Sequence, residues 1–80
     1  MVNKNQEYGR FYANGLDYGK ALGLKLQRKK KGAKQAILRT YESALTYSQN
    51  AGKYTRQGKF ITPGLARFYK GMAEGIYLSI

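Results

Sequence analysis

Eighty residues carry fifteen Lys and Arg against four acids (Glu7, Asp17, Glu42 and Glu74), a formal net charge of +11, with no His and no Cys. That length allows one domain with a modest core. The missing residue types exclude disulfides and thiolate or imidazole metal sites, so order has to come from apolar packing within the chain or between copies, and self-association is expected.

In chain order, the opening Met1–Glu7 is polar and no apolar core follows it, unlike a secretory signal. Charged residues or glycines interrupt every apolar stretch, so no membrane span is expected. The expected location is the cytosol or nucleoid of the producing cell, or a virion. From Tyr8 to Leu26 apolar residues recur at helical spacing: Tyr8, Phe11, Tyr12, Leu16, Gly19, Leu22 and Leu26. They form one broad stripe, with Arg10, Asn14, Asp17 and Lys20 opposite and Leu24 off the stripe. The pattern predicts a helix over about residues 5–31, ending in a basic last turn before Gly32.

A second helix is predicted from Ala33 to about residue 50 or beyond. Ile37, Leu38, Tyr41, Ala44 and Leu45 form its apolar face, and Gln35, Arg39, Glu42 and Thr46 face outward. Past Tyr47 the pattern fades. Residues 48–59 either continue the helix on Ser48, Ala51, Gly52 and Thr55 or form a polar loop. The third helix is predicted over about 63–78. Thr62-Pro63 supplies an N-cap with Pro at the first helical position, and Leu65, Phe68, Tyr69, Met72, Ala73 and Ile76 repeat at helical spacing. Phe60 and Ile61 are placed to staple its start. No β-branched alternating run is present. The expected fold is all-α: a hairpin of two longer helices, a shorter third helix packed across them, and more than one copy in the assembly.

Gly15, Gly19 and Gly23 lie four apart on the apolar stripe, and Gly71 and Gly75 repeat the interval. A glycine inside a helix costs about 1 kcal/mol relative to Ala, so three on one face serve close backbone approach, within or between chains. In membranes this spacing marks helix dimers, but Asp17 and Lys20 interrupt the run. A phosphate-binding role is the lesser reading.

Lys25, Arg28, Lys29, Lys30, Lys31 and Lys34 place six cations within ten residues. A solvated helix end is the plain reading. Six cations with no acid among them favour a polyanion contact that releases counterions and weakens steeply with salt. Lys53, Tyr54, Arg56, Lys59 and Phe60 alternate cations with aromatics, the chemistry that stacks unpaired bases and meets phosphates. The competing reading is that Tyr54 and Phe60 anchor the segment to the core, and Phe60 is assigned that role. Among the eight tyrosines, Tyr8, Tyr12, Tyr41 and Tyr69 fall on apolar faces, and Tyr47, Tyr54 and Tyr77 lie off them and are free for contacts.

No helix-turn-helix spacing is legible, which disfavours base reading in the major groove. No His, Cys or adjacent carboxylate pair is present for acid–base work, and no phosphate-binding glycine motif follows a strand. A non-enzyme without a cofactor is expected. The leading expectation is a small basic helical protein that binds DNA or RNA with weak sequence preference. The alternative is a viral or mobile-element interaction protein (a virion component, adaptor or inhibitor), which the close-packing glycines, the tyrosines and the apolar end Ile76-Tyr77-Leu78-Ser79-Ile80 would suit. Binding to anionic membrane is weaker, since the cations cluster at helix ends rather than along one face.

Overall fold

The computed structural model describes residues 4–79, with side chains from residue 9 onward. Among the described residues the fold consists of three helices: α1 (Lys4–Gln27), α2 (Ala33–Ser48) and α3 (Pro63–Tyr77). Tyr8, expected to open the stripe of α1, and Ile80 lie outside the residues so described.

α1 stops at Gln27, four residues before the expected end. Its last apolar anchor is Leu26, and the consecutive cations Arg28–Lys31 repel one another with no acid to offset them. The final turn tightens instead, with the amides of Arg28 and Lys29 donating to the carbonyls of Lys25 and Leu26 at 3.3 and 3.2 Å. Gly32, expected to close α1, is the N-cap of α2 in the left-handed region at φ 71°. α2 ends at Ser48, and residues 49–62 are not helical. α3 begins as the sequence indicates. Thr62 Oγ1 accepts from the Leu65 amide at 3.1 Å and Pro63 occupies the first turn.

The helices pack differently from the expected hairpin. α3 lies between the other two, which meet each other only sparsely. Gly15 faces Phe68, Gly19 faces Met72, and Gly23 faces Ile76 and Ser79, so α1 runs parallel to α3. Tyr41 meets Tyr77 and Tyr47 meets Tyr69, so α2 runs antiparallel to α3. The physical reason is backbone proximity. A Cβ built on Gly15 or Gly19 would collide with the carbonyl oxygen of Phe68 or Met72, and one on Gly71 or Gly75 with that of Tyr12 or Leu16. The glycines thus make one seam between the first and last helices of a single chain, and side chains as bulky as those of α2 cannot enter it.

The result is a layer one helix thick, with extents of 47 × 27 × 13 Å. Its core is thin: among the described residues Ile37, Ala44, Ile61, Ala66, Ala73 and Ile76 are the buried apolar ones, and only Ile61 and Ile76 of these are large side chains almost fully enclosed. The accessible surface is 6096 Å². A compact monomer of 9.0 kDa would expose about 4,900 Å². The radius of gyration, 13.2 Å, likewise exceeds the roughly 11.6 Å of a compact 80-residue domain.

Candidate nucleic-acid interface

The turn from α1 to α2 carries the first basic cluster. Lys25 sits in the last turn of α1, Arg28, Lys29, Lys30 and Lys31 in the connection, and Lys34 in the first turn of α2; all six are exposed. Because α1 and α3 are parallel, the C-terminus of α3 arrives at the same end. Gln27 Nε2 donates to the carbonyl of Ser79 at 2.8 Å and ties the two together. The cations therefore surround a junction of three helix termini and form a fork of positive charge.

The second cluster lies in a compact β-hairpin-like loop, the form taken by the segment that the sequence left open. Its path is set by two left-handed glycines, Gly52 at φ 81° and Gly58 at φ 83°. The Gly52 amide donates to Ile61 O at 2.7 Å, the Ile61 amide to Lys53 O at 2.9 Å, and the Thr55 amide to Lys59 O at 2.8 Å. Arg56-Gln57-Gly58 closes the hairpin as a three-residue loop with its last residue left-handed, a common connection between antiparallel segments. The Gly58 amide donates to Thr55 O, and Thr55 Oγ1 accepts from the Lys59 amide at 3.1 Å.

Tyr54 and Phe60 pair across this hairpin as an isolated antiparallel bridge, with ring centroids 5.2 Å apart. Both are exposed, Tyr54 at 73 % and Phe60 at 44 %. The role of core anchor expected for Phe60 belongs to its neighbour Ile61, which is 1 % exposed. Alternation along an extended segment sends adjacent side chains to opposite faces, so burying Ile61 turns Phe60 outward.

The hairpin leaves the far end of α2 and folds back along its outer side. Between them lies an open groove of about 720 Å³ lined by Arg39, Thr46, Tyr47, Tyr54 and Arg56, with Glu42 as its acid. Arg39, Thr46 and Tyr47 were not assigned to a site from the sequence. Arg39 reads there as an ordinary outward cation of α2, and Tyr47 as an aromatic off the apolar stripe. Only the hairpin's return path, set by its two glycines, brings them to a shared surface. The two basic clusters themselves are not brought together. They are joined to opposite ends of α2, about 24 Å apart for sixteen helical residues.

A third feature crosses the layer. Rings of Tyr18 and Phe68 lie 5.8 Å apart, Phe68 and Tyr69 6.0 Å, and Tyr69 and Tyr47 5.0 Å. This row runs from α1 over α3 to α2. Tyr47, free for contacts by its sequence position, is half-buried within it, and Tyr77 pairs with Tyr41 while staying exposed. On the other side of the glycine seam, Tyr12 Oη donates to a carboxylate oxygen of Glu74. That hydrogen bond, with lesser help from desolvation and the negative charge of Glu74, raises the phenol above its ordinary value of 10.0.

No protein-family model matches the chain, no curated protein matches it, and no solved structure matches its fold. Among the described residues no helix is long and apolar enough to cross a membrane. The function of these surfaces has to be argued from their own chemistry.

Proposed function

We propose that this protein is a nucleic-acid-binding protein, not an enzyme, and that it acts mainly through charge with weak sequence preference. The observation that carries this reading is the fork of six exposed cations around the α1–α2 turn. Folding there leaves every charge facing solvent, and the segment 25–34 contains no acid to neutralise them. Phosphates entering the fork would displace counterions. A contact with six phosphates loses about 10³-fold in affinity between 50 and 200 mM salt. Fluorescence anisotropy with labelled DNA and RNA across that range is the test, and affinity that does not change with salt would refute the reading. Replacing Lys29, Lys30 and Lys31 together by Gln should weaken binding to all sequences alike and lower the salt slope by about 3.

A second reading, an assembly or adaptor protein of viral or mobile-element type, is favoured by one specific observation. The layer exposes about 1,200 Å² more than a compact monomer of its mass, and the aromatic row lies on it. Stable interfaces cover about 800 Å² per partner. Sedimentation of the protein alone distinguishes the two: a defined oligomer with no affinity for any nucleic-acid probe favours assembly.

A further inference from the structure

We infer that the groove between α2 and the 52–61 hairpin is a site for an unpaired nucleotide, so that the preferred ligand is single-stranded nucleic acid. The inference rests on the nucleic-acid reading above and narrows it to a strand type and a place. Three observations converge.

First, the groove has the size of a small-ligand site. Its volume of about 720 Å³ lies within the range of roughly 300–1,000 Å³ for such pockets. That is room for one or two nucleotides. Second, it offers a ring face on a fixed support. Tyr54 is 73 % exposed, yet the hairpin beneath it is tied by cross-chain backbone hydrogen bonds and anchored by the buried Ile61. Phe60 meets the ring at a tilt of 58° with centroids 5.2 Å apart, so it does not stack on Tyr54 and ring surface remains for a base. In a duplex the base faces are already stacked on one another; in a single strand they are available to an aromatic platform.

Third, two arginines against the single acid Glu42 leave the groove net positive for a phosphodiester backbone beside that ring. Arg39 enters from α2 and Arg56 from the tip of the hairpin. Among the described residues neither guanidinium is held by an ion pair or hydrogen bond, so both donor forks can meet phosphate oxygens. Lys53 and Lys59 flank the same hairpin and are exposed. Arg39 lies five residues along α2 from Lys34, about 7.5 Å along the axis. Five residues also turn the helix by about 140°, so the groove and the fork of cations at the α1–α2 turn lie close in height on different sides of α2.

The test uses the full chain and fluorescein-labelled twelve-nucleotide probes, an oligo(dT), an oligo(U) and a duplex DNA, at one salt concentration. The expected result is tighter binding of the single strands. Tyr54→Ala should weaken them by about 5- to 140-fold, the range for one lost base stack, and Tyr54→Phe should restore wild-type binding because it keeps the ring. Arg39→Gln, on an exposed face of α2 where it disturbs no packing, should lower the salt slope for single strands by about 1. Single strands bound no tighter than the duplex, or Tyr54→Ala and Arg39→Gln binding like wild type while salt dependence persists, would overturn the groove as the site and leave the electrostatic reading standing. No binding of any probe would overturn both.

Discussion

The same substitution, Gly to Ala, should have opposite effects at two positions of α1. At Gly19 a Cβ falls 2.9 Å from both the carbonyl carbon and the Cα of Met72, and nearer still to its carbonyl oxygen. Carbon atoms in comfortable contact lie about 3.5–4.0 Å apart, so α1 and α3 must separate by roughly 1 Å. The obstacle is backbone, which cannot swing aside as a side chain can, and a gap of that size forfeits a quarter to a half of each contact along the seam. Overpacking of this kind costs about 1–3 kcal/mol, and its placement against backbone puts Gly19→Ala at the upper end. Ala gains about 1 kcal/mol in helix propensity, leaving a net loss of about 2 kcal/mol. At Gly9 a Cβ meets nothing within 4 Å, so Gly9→Ala keeps the propensity gain alone and stabilises by about 0.5–1 kcal/mol. Urea unfolding followed by circular dichroism at 222 nm reads both values by linear extrapolation. If Gly19→Ala proves as stable as Gly9→Ala, the glycine seam is not what holds α1 to α3.

Two further outcomes follow from local geometry. Because the folded state raises the Tyr12 phenol, the stability this group contributes is fully present below its ordinary value of 10.0 and is lost as pH climbs through the raised one; alkaline difference absorbance should show a late-titrating tyrosine that Tyr12→Phe removes and Glu74→Gln returns toward the ordinary range. Thr62→Ala takes away the acceptor for the Leu65 amide and should destabilise by about 1 kcal/mol, measured in the same urea experiment with Thr62→Ser as the conservative control.

Helix existence was legible because it depends on local periodicity and capping. Thr62-Pro63 opens α3 where the sequence indicates, and Leu24, off the stripe of α1, is exposed. Pairing was less legible. Glycines four apart announce close approach, but the spacing is the same whether the partner is another chain or another helix of this one, and only the fold places Gly71 and Gly75 opposite Tyr12 and Leu16. The end of α1 was misplaced because helix-favouring Lys residues continue the pattern where no apolar anchor remains. The 52–61 hairpin was hidden for another reason. It is built from left-handed glycines and a threonine side chain, not from the β-branched alternation that marks a strand, and so the groove it forms with Arg39 and Tyr47 left no local trace.

The parallel seam also sets an order of events in folding. Gly15 and Phe68 are 53 residues apart in sequence, whereas Tyr47 and Tyr69 are separated by 22, so α2 and α3 close the shorter loop and can pair first. On the ribosome, at about 5–20 residues per second, α1 emerges several seconds before the glycines of α3 that complete it. Throughout that interval its glycine face is uncovered, and neither a hairpin partner nor a disulfide holds the helix in place. Until α3 is made, α1 has no seam to dock into, and strain placed at that seam bears directly on its hold on α3.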